Sequence, residues 1–244
     1  MKPIIATISD KGGRETNQDC VRFSLSDDAV CAVVCDGLGA YTGSELAAVI
    51  CAESIVQAFG KTRPRGDDGE ALKSLVKAAH DRIAAYKEAC TGVDEICTTV
   101  ACVIADGAGT AIAHIGDTRI YEVRGGRLRL LTRDHSLARI AVDRGEIRME
   151  DIRRHKDQNK LTRVLGSGYY VAPDCDVLPP LAPGDGLILC TDGVWEYVYD
   201  EDMERLFASG TPEETLQAFV RLIDERKPAR NDNYTAAVIK AVEG

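Results

Sequence analysis

Four aspartates stand where a strand-like apolar segment meets a turn. In chain order they are Asp19, Asp36, Asp192 and Asp232. Strand ends of one sandwich can converge, and carboxylate oxygens are preferred ligands of hard cations such as Mg²⁺ and Mn²⁺. An Asp before a Gly is also ordinary turn chemistry, as at Asp106-Gly107, so spacing alone does not single out these four. The residues permit a metal site without requiring one.

Strand-like and helix-like segments surround these residues. Apolar runs bounded by turn residues predict strands at 2–8, 20–25, 30–35, 97–105, 110–115, 119–123, 127–131, 187–190 and 234–242. Helical periodicity predicts helices with apolar positions within 46–59, 72–86, 137–144, 149–154 and 216–223. Start signals support two of them, Thr42 with Glu45 for the first and Thr211-Pro212 with Glu214 for the last. The segment 97–131 is interpreted as a β-meander, and a strand pair is expected to end at 187–190.

Strands in meander order and helices in pairs favour one fold class. They predict an antiparallel two-sheet β-sandwich flanked by pairs of α-helices, an α+β fold with αββα layers, over a parallel βαβ sheet. The polar segment 61–69 is too short to mark a domain boundary. Residues 1–244 are therefore expected to form a single domain, with mobile structure in the polar stretch 136–160.

Composition argues against several classes of protein. With 45% hydrophobic and 28% charged residues, the chain is typical of a soluble globular protein. A net charge of −9 argues against a nucleic-acid partner, since such proteins carry a basic stripe. No segment approaches the roughly 18 apolar residues of a membrane span, and the first residues lack a signal peptide. We expect a cytoplasmic protein with no membrane partner.

Nine cysteines are an odd count, and most lie in Val-, Ile- and Ala-rich segments. That placement is typical of reduced, buried thiols. Cys31 and Cys35 have no second Cys/His pair at zinc-ligand spacing. The sequence therefore predicts neither a structural zinc site nor a disulfide framework.

Five segments, taken in chain order, show a family resemblance that the spacing of the aspartates alone does not reveal. They are Arg14-Glu15-Thr16-Asn17-Gln18-Asp19, Asp36-Gly37-Leu38-Gly39, Gly116-Asp117-Thr118-Arg119, Thr191-Asp192-Gly193 and Asn231-Asp232-Asn233. In order, they resemble the motifs of the metal-dependent protein phosphatases, the PPM or protein phosphatase type 2C family. Further segments at 98–99, 131–136, 159–166 and 183–185 look like those of bacterial members. The match spans essentially residues 7–240.

The resemblance implies a set of site residues. A dinuclear Mg²⁺ or Mn²⁺ centre at one end of the sandwich would be held by Asp19, Asp36, the backbone carbonyl of Gly37, Asp192 and Asp232. Asp36 would bridge the metals, and a third, weaker site would fall to Asp117 with Glu196. Arg14 matches the arginine that grips the substrate phosphate. Phosphoserine and phosphothreonine in proteins would be hydrolysed by a hydroxide bridging the metals, with Arg14, Asp36 and Asp192 as catalytic residues.

Three positions depart from the family pattern. Members commonly have a histidine near the metal-binding Asp-Gly, a candidate acid for the leaving alkoxide, where this chain has Leu38 to Tyr41. A protonated carboxylate, a water on the third metal or Tyr41 are the alternatives, although a phenol of pKa ~10 is a weak acid near neutral pH. Gln18 stands where many members have Glu, and Cys97 where Gly commonly precedes Thr98-Thr99. The four histidines, His80, His114, His135 and His155, are expected to have packing or surface roles.

Two other functional classes compete with an enzyme that opposes a bacterial-type protein kinase. One is a catalytically weak member that binds phosphoproteins or acts as a regulatory pseudophosphatase, which only the missing histidine supports. The retained acids favour the enzyme, because they would repel one another without cations. The other class, a metal-dependent nuclease, lacks the basic surface and ranks last. We expect a monomer.

A flap subdomain around 136–165 is also implied by the resemblance. Its part 146–160 carries several cations, namely Arg148, Arg153, Arg154, Lys156 and Lys160. These charges would attract acidic phosphosubstrates. The alternative is an ordinary solvated loop.

Overall fold

Eleven strands and six α-helices are seen in the computed structural model, which describes residues 2–38, 44–90, 96–228 and 230–243. The strands are β1 Lys2–Asp10, β2 Asp19–Leu25, β3 Val30–Leu38, β4 Cys97–Thr98, β5 Val100–Ala105, β6 Thr110–Ile115, β7 Arg119–Arg124, β8 Arg127–Leu130, β9 Asp174–Leu178, β10 Gly186–Cys190 and β11 Tyr234–Val242. The helices are α1 Ser44–Thr62, α2 Gly69–Ala89, α3 Leu137–Asp143, α4 Asp192–Trp195, α5 Asp200–Ser209 and α6 Pro212–Arg226. A 3₁₀ helix spans Met149–Arg154.

The strands form two antiparallel sheets. The first has the order β1-β11-β10-β7-β8, and the second has the order β2-β3-β5-β6-β9, with β4 paired to β3. Alternate side chains of each sheet point inward, and a cluster that includes Val34, Val103, Leu189 and Ile239 fills the space between them. The predicted two-sheet sandwich is confirmed.

Helices cover the outer face of each sheet. Residues of α1 and α2 pack on β3, β5 and β6 in one apolar cluster, and residues of α4, α5 and α6 pack on β7, β10 and β11 in another. Thr211 and Glu214 form the predicted capping box at the start of α6. The box predicted at Thr42 lies outside the described residues.

Two predictions about strand pairing are wrong. The segment 97–131 is not one meander, because β5 pairs with β6 in the second sheet whereas β7 pairs with β8 in the first. Gly116, at φ 101°, turns the chain from one sheet to the other. The strands β9 and β10 do not pair either, since β9 pairs with β6 and β10 with β7 and β11. The helices α4 and α5 were not predicted.

The cysteines lie mainly in the core. Six are buried, namely Cys20, Cys31, Cys35, Cys51, Cys102 and Cys190. Burial raises the pKa of Cys31 and Cys190 to about 12, so these thiols stay protonated and unreactive.

None of the described helices is long and apolar enough to cross a membrane.

Candidate metal centre and active site

The β2–β3 hairpin brings two of the predicted acids together. Asp19 begins β2 and lies directly opposite Asp36 near the end of β3. The Gly37 N–H donates to the Gln18 carbonyl at 3.0 Å, which continues the strand pairing beyond the two acids. The side chains of directly opposed residues lie on the same face of a sheet. Asp19 and Asp36 are therefore neighbours at one end of the second sheet.

The other two acids come from loops of the first sheet. Asp192 follows β10 as the first residue of α4, and Asp232 precedes β11. The two loops touch at Gly193, where a Cβ atom would meet the Asn233 carbonyl oxygen at 2.0 Å. The Thr191 hydroxyl donates to Asp19 Oδ2 at 2.9 Å and so joins the two sheets at the site.

Arg14 lies on the loop before β2 and reaches the same cluster. Its Nη2 donates to Asp232 Oδ2 at 2.6 Å, and the two side chains are 56% and 42% exposed. Asn233 holds this loop, since its Nδ2 donates to the carbonyls of Lys11 and Thr16 at 2.8 and 2.9 Å. Asn233 Oδ1 also accepts from the Gln18 N–H at 2.8 Å. Arg14 therefore lies at the solvent-exposed edge of the acidic cluster.

Asp117 is buried in the turn between β6 and β7. The Trp195 indole N–H donates to its backbone carbonyl at 3.0 Å. The guanidinium of Arg119 lies 3.7 Å from the centre of the Trp195 ring. Arg119 is itself held by Asp134, with Nε–Oδ1 and Nη2–Oδ2 distances of 2.9 and 2.6 Å. A buried ion pair and a tryptophan therefore fix the position of this turn.

Desolvation and mutual repulsion act on the buried acids of the cluster. Burial and the charge of Asp192 raise the pKa of Asp19 to about 7. Burial and the charge of Asp232 raise that of Asp192 to about 6. Burial, together with Asp19 and Asp192, raises the pKa of Asp36 well above its usual range, and Asp117 and Asp232 add to this shift. Such a cluster of oxygen ligands suits a hard cation, which would offset the repulsion.

Glu196 lies one helical turn after Asp192, whose carbonyl accepts from the Glu196 N–H at 2.9 Å. Burial raises the pKa of Glu196 to about 8, and the charges of Asp192 and Asp232 add to this shift. The Gln158 amide donates to Asp192 Oδ2 at 3.4 Å. The stretch before residue 160 therefore reaches the acids from outside the sandwich.

A second group of possible ligands lies on the second sheet, where ligand atoms of His114, His135 and Asp174 are within 4.8 Å of one another. Nδ1 of His135 accepts from the Gly116 N–H at 3.0 Å, so the ring proton of neutral His135 is on Nε2. His135 Nε2 lies 3.1 Å from Asp174 Oδ2 and 2.7 Å from Arg163 Nη1. Arg163 adds a positive charge, with Nη1 2.7 Å from Asp174 Oδ1. These contacts favour a packing role over a metal site.

Most cations of the stretch 146–160 are already paired. Arg148 bonds Asp151 at 3.1 Å, Arg153 bonds Asp200 at 2.6 Å and Lys160 bonds Asp157 at 2.7 Å. Within the described part of the chain, no ion pair involves Arg154 or Lys156, and both are exposed. The positive charge available to a substrate is therefore smaller than the sequence suggested.

Some residues of the site had no signal in the sequence. Trp195 and Gln158 reach the acids only through the tertiary fold, and nothing in their local sequence indicates those contacts. Arg119 and Asp134 each lie in a segment that resembles those of the family, but the sequence does not show that they form a buried ion pair. Tyr41, an alternative for the acid, lies outside the described residues.

Comparison with known proteins identifies the family. A family model described as "Protein phosphatase 2C" matches residues 11–226. The chain belongs to the protein phosphatase 2C family. Among curated relatives of this phosphatase is "Serine/threonine phosphatase stp" of Listeria monocytogenes serotype 4b (strain F2365). It is 30% identical over 190 residues, which are 77% of this chain and 75% of the relative.

Solved structures share the fold of the phosphatase along its whole length. The Mycobacterium tuberculosis serine/threonine phosphatase PstP/Ppp has a TM-score of 0.87 at 26% identity, covering 100% of both chains. The catalytic domain of PstP, solved in complex with two manganese ions, has a TM-score of 0.85 at 26% identity, covering 99% of both chains. The fold and family implied by the sequence motifs are confirmed.

Proposed function

We propose that the acidic cluster is the metal centre of this phosphatase, which removes phosphate from phosphoserine and phosphothreonine in proteins. As a member of the protein phosphatase 2C family, the chain is a metal-dependent serine/threonine protein phosphatase that uses Mg²⁺ or Mn²⁺. Asp19, Asp36, the Gly37 carbonyl, Asp192 and Asp232 hold two cations. Asp117 serves a third, weaker site.

The observation that carries this assignment is that Asp36 lies directly opposite Asp19, which the Thr191 hydroxyl joins to the loop carrying Asp192. Consistent with this position, burial and the charges of Asp19, Asp192, Asp117 and Asp232 raise the pKa of Asp36. A carboxylate with acids from both sheets around it is the residue that would contact both cations. When bound, two cations lower the pKa of a water molecule and neutralise phosphoryl oxygens during in-line attack. The protein residues hold that arrangement in place.

Arg14 binds the substrate phosphate. Its planar guanidinium suits two phosphate oxygens at once. The side chain is 56% exposed, and its ion pair with Asp232 is at the surface, where such pairs contribute about 0–1 kcal/mol. Arg14 can therefore contact an incoming phosphate at little cost to the fold.

Around the centre, residues 136–165 form a flap that contacts the substrate protein, within one catalytic domain of residues 1–244. The contact of Gln158 with Asp192 supports this assignment. The substrates are phosphoproteins of a bacterial-type serine/threonine kinase, and the enzyme acts as a monomer in the cytoplasm. No described contact and no comparison favours the pseudophosphatase alternative.

The assignment is tested by Mn²⁺ binding, measured by isothermal titration calorimetry at pH 7.5. Asp36→Asn should weaken binding by more than about 100-fold, because even residues behind the ligands commonly contribute 10–100-fold. Asp27→Asn is the matched control, since Asp27 is exposed in the turn at the other end of the same hairpin. Unchanged Mn²⁺ binding in folded Asp36→Asn would reject the assignment.

A further inference from the structure

Two adjacent threonines lie directly behind the acidic cluster. Thr98 and Thr99 stand at the junction of β4 and β5, and both are completely buried. Buried hydroxyl groups need hydrogen-bond partners. The Thr98 hydroxyl lies within hydrogen-bond distance of both the Asp36 and the Thr99 carbonyls, at 2.9 and 2.8 Å, and the Thr99 hydroxyl accepts from the Asp36 N–H.

Both peptide groups that flank Asp36 are held by these threonines. The Asp36 N–H donates to Thr99 Oγ1 at 2.9 Å. The Asp36 carbonyl accepts from the Thr98 hydroxyl and from the Thr99 N–H, each at 2.9 Å. The backbone of Asp36 therefore cannot shift without breaking bonds to this pair.

Thr99 also contacts both neighbours of Asp117. Its hydroxyl oxygen lies 2.6 Å from the Thr118 hydroxyl oxygen, and both groups are buried. On the other side of Asp117, a Cβ atom on Gly116 would meet Thr99 Cγ2 at 2.5 Å. One side chain thus joins the end of β3 to the turn between β6 and β7.

We propose that Thr99 is a positioning residue that fixes Asp36 and Asp117 relative to each other, so that both carboxylates can serve cations at the same time. The inference rests on the proposed assignment of these two acids to metal sites. The link runs from Asp117 through the Thr118 hydroxyl and the Thr99 hydroxyl to the Asp36 N–H. Movement at one acid is therefore passed to the other.

Thr99→Val tests the link because it replaces the hydroxyl with a methyl group of similar size. The Asp36 N–H then loses its acceptor. Thr99→Ser retains the hydroxyl and should restore the contact. Thr110→Val is the matched control, since Thr110 is also a completely buried strand threonine, and its hydroxyl makes no hydrogen bond within the described ranges.

Two measurements on the intact chain separate positioning from stability. Hydrogen exchange of the Asp36 amide, followed by NMR without metal, should be faster in Thr99→Val than in Thr99→Ser or Thr110→Val. Mn²⁺ affinity by calorimetry should fall by about 10-fold or more in Thr99→Val, as is typical of residues behind metal ligands. Thr99→Ser should stay near the wild type, and Thr110→Val should equal it.

Thr118→Val provides an independent variant that leaves Thr99 intact. It should weaken Mn²⁺ binding, whereas Thr118→Ser should not. Wild-type Mn²⁺ affinity in both Thr99→Val and Thr118→Val would overturn the proposal, as would equal losses in the Val and Ser variants at either position. If Asp36→Asn binds Mn²⁺ like the wild type, the metal-site assignment itself fails, and the two failures are thereby distinguished.

Discussion

At the scale of single residues, the active centre is built from carboxylates whose negative charges repel one another. Burial and neighbouring acids raise the pKa values of Asp19 and Asp192 to about 7 and about 6. The stability that comes from protonating these acids is present below their unfolded pKa and lost as the pH rises toward 7. A bound cation favours the ionised carboxylates and offsets their repulsion, so metal binding should also stabilise the fold.

The pH dependence that His135 contributes to stability has the opposite sign to that of the aspartates. Burial and the stacked ring of His114, 4.7 Å away, lower its pKa to about 4. Because the unfolded chain binds this proton near pH 6.5, the contribution of His135 is full above that pH and is lost as the pH falls toward 4.

The prediction for His135 is a pH-dependent difference between two proteins. Wild type and His135→Asn are compared by urea unfolding without metal at pH 7.5 and pH 5. The wild type should exceed the variant by more at pH 7.5 than at pH 5. The comparison cancels the titration of carboxylates that both proteins share. A difference that is the same at both pH values would contradict the assigned pKa.

At the scale of elements, the sequence correctly predicted features that depend on interactions between residues close in the chain. The capping box of Thr211 and Glu214 forms as predicted, with the Glu214 N–H donating to Thr211 Oγ1 at 3.2 Å and the Thr211 N–H donating to Glu214 Oε2 at 2.8 Å. The prediction that 97–131 forms one meander was wrong because local sequence does not determine which strands pair. A Gly-Asp turn has the same local sequence whether its strands pair with each other or enter different sheets.

Removing the Thr211 cap gives a prediction for α6. Thr211→Ala should lower the free energy of unfolding by about 1 kcal/mol, the usual cost of losing an N-cap side chain. Urea unfolding provides the measurement. Glu213→Gln serves as a control in the same first turn, where it should have little effect. Phosphatase activity should be unchanged in Thr211→Ala, because α6 covers the outer face of the first sheet, and a loss of activity there would be unexpected.

At the scale of the whole molecule, the site exists only where the two sheets meet. Asp19 and Asp36 come from the second sheet, Asp192 and Asp232 from loops of the first, and the bond from Thr191 to Asp19 joins them. The sequence identified these acids through a resemblance to family motifs. It could not supply the contacts of Thr99 or Trp195, because each joins residues that are distant in the chain and depends on the packing of the sheets.

The most direct test of the account is phosphate release from a phosphothreonine peptide with and without Mn²⁺. Wild type, Asp192→Asn and Asp27→Asn are compared, with circular dichroism confirming that each is folded. We predict Mn²⁺-dependent release in the wild type and in Asp27→Asn, and a loss of at least about 100-fold in Asp192→Asn, more than is usual for residues behind the ligands. Release by Asp192→Asn at the wild-type rate, or no Mn²⁺-dependent release by the folded wild type, would contradict the account.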